Sequence, residues 1–187
     1  KVLPNTQQFD PANPKYKPFY RTLAERKLPF LSHVGYEFSL IGKDQSVGDP
    51  ERLRVALDEG TTVIAAHACS YGLVLYEKFL PTLRDFVQRY PHFYSDISAL
   101  TLPNRFRMLL HLRHYPDLHE RLLFGTDYPL SVFHFAAWGR VAFDTLRDIL
   151  QTKNRFDRQV SVCRGLHLGF RSLGDIIARP PLTPDSN

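Results

Sequence analysis

Sulfur is scarce in this sequence: two cysteines, Cys69 and Cys163, and one methionine, Met108, among 187 residues. The cysteines lie far apart and make no C-x-x-C pair, which argues against a disulfide framework and fits a reducing cytoplasm. No apolar run approaches the roughly 20 residues of a membrane span, and no signal-peptide pattern opens the chain. A soluble, cytoplasmic protein with no membrane partner is therefore expected. The first residue is Lys1 rather than Met, so the chain is expected to be a processed or truncated part of a longer product. Flexible linkers and low-complexity runs are missing as well, which leaves no place to divide the chain. The net charge of +5 and pI near 9.3 would suit an anionic partner. The basic residues are nevertheless interleaved with acidic ones, as in ERLRVALDEG, and no nucleic-acid motif or aromatic–basic cluster accompanies them. They read as solvated surface, and no nucleic-acid partner is expected.

What is present points to a globular chain: 43% hydrophobic residues and 13% aromatic ones, enough for one sizeable core. The expected organisation is a single α/β domain over residues 1–178, followed by a flexible Pro-rich tail over 179–187. Short apolar runs read as strands at LPFLSH (28–33), TTVIAAH (61–67), FYSDIS (93–98) and LLFGTD (122–127), with KVLPN as a further strand at the chain start. Helical patterns lie between them. KPFYRTLAERK is the first. GDPERLRVALDEG has Asp49 as N-cap, Pro50 at the first helical position and Gly60 past its end. YEKFLPTLRDFVQRY carries an apolar stripe, with Pro81 marking its start, and NRFRMLLHLRHY follows. FHFAAWGRVAFDTLRDIL and FDRQVSVCRGLHLGFRSLGDIIA read as closing helices that cover the last strand.

Each strand-like run delivers a polar residue at its carboxyl end: His33, His67, Asp96 and Asp127. The intervals are 34, 29 and 31 residues, a recurring βα unit of parallel sheet. In barrels and open α/β sheets that edge carries the chemistry. A lone histidine at a strand end is usually hydrogen-bonded structure, and a lone aspartate usually caps the next helix. Four in succession at the equivalent edge instead point to a shared site. Imidazole and carboxylate suit zinc and similar ions, and a catalytic metal keeps an open position for water whose pKa it lowers to about 7. A carboxylate beside that water can take its proton. His92, His111, His114, His119, His134 and His167 lack this placement and read as surface or packing residues. Cys69 reads as a buried structural thiol. Lys43, in the loop after His33, is placed to meet an anion.

The series LPFLSHVGYE, TTVIAAHACS, FYSDISAL and RLLFGTDYPL resembles the amidohydrolase superfamily. More narrowly it is similar to the amidohydrolase-2 group related to aminocarboxymuconate-semialdehyde decarboxylase. The resemblance covers nearly the whole chain and implies a TIM-barrel (β/α)8 metal-dependent hydrolase fold, truncated to its C-terminal strands and helices. It implies that His33 and Asp127 are metal ligands, that Asp127 is also the candidate base, and that His67 contacts water or substrate. Asp96 takes a supporting or substrate role. Lys1 matches strand four, where binuclear relatives carry a modified lysine; a single divalent metal, Zn2+, is expected here. The family's strand-one H-x-H pair has no counterpart, since no H-x-H occurs in the sequence. The implied function is a metal-dependent hydrolase acting on a small carbonyl or carboxylate substrate. The alternatives are a nonoxidative decarboxylase of the same superfamily or a noncatalytic binding module. A chain of this kind is expected to form homo-oligomers or to pair with the missing N-terminal half, because a cut barrel leaves strand edges unpaired.

Overall fold

The computed structural model describes residues 1–38, 40–42, 44–73 and 76–177. Lys43 and the tail 179–187 lie outside these described residues. Four parallel strands form one sheet in chain order: β1 (Phe30–Ser32), β2 (Val63–Ala65), β3 (Phe93–Asp96) and β4 (Leu122–Leu123). Phe30 pairs with Val63, Val63 with Phe93, and Ser95 with Leu122. Parallel neighbours need a crossover between them, and helices supply it. The helices in order are α1 (Pro4–Gln7), α2 (Lys17–Glu25), α3 (Arg54–Asp58), α4 (Leu80–Arg89), α5 (Phe106–Leu112), α6 (Phe143–Gln151) and α7 (Arg155–Gly165). Among the described residues none is long and apolar enough to cross a membrane.

The local chemistry accounts for the helix starts. The Asp49 side chain accepts from Glu51 N at 2.9 Å ahead of a 3-10 turn, Pro50–Leu53, that runs into α3. Pro81 sits in the first turn of α4, where a missing N–H costs nothing. Asn154 caps α7 by accepting from Phe156 N and Asp157 N. The helices bury their apolar faces on the sheet: Leu57, Leu83, Phe86, Leu109 and Leu112 are almost wholly enclosed, and Phe86 meets Phe93 edge to face at 5.2 Å. Burying each of these side chains contributes roughly 1.5–3 kcal/mol. In β2, Val63, Ile64 and Ala65 are all buried, as a strand covered on both faces requires.

Two readings of the chain ends change. The opening KVLPN supplies a single parallel bridge, Val2 to Ser32, with Val2 N donating to Leu31 O and His33 N to Val2 O, both at 2.9 Å. The closing segments are less helical than their patterns suggest. FHFAAWGRVAFDTLRDIL divides into a 3-10 turn, Phe135–Ala137, and α6, with Gly139 at φ 65 between them. After α7, His167 turns left-handed (φ 58) and Arg171 runs beside β4. There Arg171 N donates to Leu122 O and Phe124 N donates to Arg171 O, both at 2.8 Å. Those groups on β4 need partners, and an extended segment supplies them where a helix cannot.

Candidate active site at the carboxyl edge of the sheet

His33 follows β1 directly and is 4% exposed. His67 lies two residues beyond β2, inside a left-handed turn: His67, Ala68 and Cys69 have φ of 59°, 48° and 56°. Non-glycine residues pay roughly 1–2 kcal/mol each for this conformation, so the surroundings must enforce it. Asp96, the last residue of β3, supplies the restraint. Its Oδ1 accepts from His67 N at 2.9 Å, from Ser98 N at 3.0 Å and from the Ser98 hydroxyl. Asp127 lies four residues past β4, also left-handed at φ 53, with its carbonyl bonded to Leu130 N.

Two glycines allow these segments to meet. Gly35 (φ 84) passes so close to the turn after β2 that a Cβ there would stand 2.2 Å from Ser70 O. At Gly125 a Cβ would press on Asp96 and Ser98 at 3.3 Å.

The four polar residues converge, but in different ways. His67 Nε2 lies 3.2 Å from His33 Nδ1 and 3.9 Å from Asp127 Oδ2. Asp127 Oδ1 is 3.3 Å from Lys1 Nζ, and His33 Nδ1 is 3.6 Å from Glu37 Oε2. Asp96 faces the backbone of its neighbours. Burial holds its carboxyl above the usual carboxylate range, against the pull of the Ser98 hydroxyl and the two N–H donors.

Hydrogen-bond polarity sets the histidine tautomers. Backbone N–H groups can only donate, and the Ser98 hydroxyl gives its proton to the same Asp96 oxygen. His67 Nδ1 lies 3.0 Å from Ser98 O, an obligate acceptor, so His67 carries its proton on Nδ1. Its Nε2 must then accept from His33 Nδ1. The chain of bonds ends on His33 Nε2 as a lone pair, buried and without a hydrogen-bond partner.

Both imidazoles are neutral at pH 7. Burial first, and the Arg105 charge second, hold His33 down to about 4 and His67 well below the usual histidine value of 6.5. The unfolded chain binds these protons more tightly than the folded one. In metal-free protein, stability should therefore be fully present above about pH 6.5 and fall as the pH drops towards 4. His33 alone should account for about 3 kcal/mol of that loss, and His67 acts in the same direction. Urea unfolding at pH 7.5 and pH 4.5 measures it; an unchanged midpoint would show that the imidazoles are not held neutral.

Several contributors carried little sequence signal. Arg105, at the start of α5, is 4% exposed and donates to Ser70 O (3.0 Å) and Tyr36 O (2.8 Å), stapling the segments that follow His33 and His67. Beside it, Asn104 Nδ2 donates to Gly72 O at 3.1 Å. Gln159 Nε2, on α7, donates to Ile97 O and Gly125 O and so ties the ends of β3 and β4 together. Its place on the apolar stripe with Val162, Cys163 and Leu166 was a usable clue. The D-x-S spacing of Asp96 and Ser98 was another. Cys69 is fully buried, and burial pushes its thiol well up, so it is an inert packing group. His92 bonds to Leu57 O, and His119 to Leu112 O and Gly169 N, all away from the site.

Comparison with known proteins agrees with this architecture. The chain is similar in structure to an uncharacterized TIM-barrel protein from Bordetella bronchiseptica, with a TM-score of 0.52 and 18% identity. The match covers 85% of this chain and 50% of that one, so this chain spans half the length of the barrel protein, and its parallel strands and intervening helices are part of a TIM-barrel fold. No curated protein matches the sequence. A family model described as amidohydrolase matches residues 1–152, and the chain belongs to the amidohydrolase-2 family.

Proposed function

We propose that the protein forms part of a metal-dependent hydrolytic site of amidohydrolase type, acting on a small substrate through its carbonyl group. The observation that carries this reading is His33 Nε2, a buried lone pair with no partner in a cavity that His67 and Asp127 also line. A buried nitrogen left bare costs about 1–3 kcal/mol, and a metal ion would remove that penalty. His33 Nε2 and the Asp127 carboxylate would hold the ion. They are a partial set: among the described residues no group of three His, Cys, Asp or Glu is arranged to bind a metal. When bound, a divalent ion such as Zn2+ polarises a carbonyl and makes water more acidic.

The chain's own residues have separate tasks in this reading. Asp127, 23% exposed at its side chain, is the candidate base that accepts a proton from the attacking water. His67 is locked as the Nδ1–H tautomer, and its Nε2 faces both His33 and Asp127. It orients His33 rather than acting as an acid, because burial keeps it neutral. Asp96 and Ser98 hold the turn that presents His67.

Zinc affinity, measured by competition with a chromophoric chelator, tests the assignment. The parent chain is expected to bind weakly, as two protein ligands imply, and His33→Ala to bind at least about tenfold more weakly still. Equal affinity in parent and variant, with the fold intact by circular dichroism, would remove His33 from the site and the proposal with it.

A further inference from the structure

We infer that the protein carries a second ligand site, formed by α5, α6 and α7, that takes a small phosphorylated molecule bearing at least two anionic groups. This site stands apart from the function proposed above. Along the chain basic residues alternate with acidic ones, but folding undoes that mixture here. Arg107 and His111 lie one turn apart on the same side of α5, and His114 follows just past its end. The segment before α6 contributes Arg140, and the end of α7 contributes Arg164 and His167. These side chains line two cavities, of about 360 and about 530 Å3, and Arg140 lines both. The larger falls within the usual range of small-molecule sites, roughly 300–1,000 Å3.

The balance of charge is one-sided. Asp148 is the one carboxylate among the described residues that lines either cavity, and it already has Arg147 Nε, from outside both, at 3.9 Å. Against it stand three arginines, none of which makes an ion pair among the described residues. Burial first, then the charges of Arg107 and His114, hold His111 below the usual histidine range, and no carboxylate pulls the other way. An arginine's planar fork binds phosphate oxygens in pairs. Thr145 and Ser161 bring to the larger cavity two hydroxyls that make no hydrogen bond among the described residues and can donate to the same oxygens. Val141 and Ile149 there, and Phe106 and Leu110 in the smaller cavity, offer apolar wall to the organic part of the ligand. Arginines in both cavities ask for an anionic group in each.

The competing role is helix stabilisation. His111 and Arg164 lie in the last turns of α5 and α7, where the helix dipole favours cations. Arg140 has no such reason, because it precedes the start of α6, the positive end of that dipole. Calorimetric titration with sodium pyrophosphate at constant ionic strength separates the two roles. The parent should bind pyrophosphate, and Arg140→Gln should weaken binding at least about tenfold, the worth of one charge-assisted hydrogen bond. Arg26→Gln removes the same charge at the end of α2, outside both cavities, and should change affinity less than about twofold. Inorganic phosphate, with one anionic group, should bind the parent more weakly than pyrophosphate. Equal losses in the two variants would reveal attraction to net charge alone and overturn the inference, as would a parent that binds no pyrophosphate or binds both anions equally. A mixed-sequence RNA oligonucleotide that binds more tightly than pyrophosphate and is weakened by Arg140→Gln would overturn it too, since the surface would then be a nucleic-acid one. Arg140 is exposed and its own hydrogen bond, from Nη1 to Trp138 O, is local, so the variant should fold. If circular dichroism shows otherwise, Arg164→Gln is read by the same criterion.

Discussion

Asp127→Asn is expected to lower turnover at least about 100-fold, the lower range for loss of a general base, and to leave the fold intact. The substitution isolates chemistry from architecture. Asparagine has nearly the same shape, and it is one of the few side chains that tolerates the left-handed backbone Asp127 adopts at φ 53. It keeps an oxygen that can stand where Oδ1 meets Lys1 at 3.3 Å. What it loses is charge and basicity, the properties needed to accept a proton or bind a cation. His67→Asn should also slow turnover but cost less metal, since both His67 nitrogens are engaged with Ser98 and His33. Circular dichroism, zinc content and rate, measured on the parent protein and both variants, form the comparison. If Asp127→Asn unfolded the protein while His67→Asn kept full activity, Asp127 would be a structural cap.

The largest effect on stability is expected at Asp96. Asp96→Ala should destabilise the protein by about 3–5 kcal/mol, because it leaves two buried backbone N–H groups, those of His67 and Ser98, without their acceptor. It also releases a turn of three consecutive left-handed residues that has little intrinsic reason to form. Asp96→Asn retains an acceptor oxygen and should lose only about 1 kcal/mol, the ordinary worth of a hydrogen bond. Urea unfolding of the two variants beside the parent gives the answer. An alanine variant as stable as the asparagine one would mean that the turn is held by something other than Asp96, and the supporting role assigned to this carboxylate would be wrong.

Much of the architecture was legible in the sequence because it depends on short-range pattern. Apolar runs of strand length, Pro50 and Pro81 at helix starts, and Gly60 at a helix end are local signals, and they set the βα order that the sheet displays. The same periodicity placed His33, His67, Asp96 and Asp127 on one edge, since a parallel sheet brings every strand's carboxyl end to the same side. Other features were settled only by tertiary structure. The closing segment looked helical by composition, yet Arg171 lies extended because β4 offers it unpaired hydrogen-bonding groups. The left-handed turn at His67 runs against its residues' preferences and exists because Asp96, on the next strand, bonds to its backbone. Arg105 was one arginine among many until the fold brought it to Ser70 and Tyr36, 35 and 69 residues away along the chain. The buried, unpartnered lone pair of His33 has the same origin: it depends on a hydrogen-bond direction that begins at Asp96 and Ser98 and crosses three strand ends. Local pattern decides which elements form, whereas tautomers, strained turns and buried charges depend on partners that only long-range packing supplies.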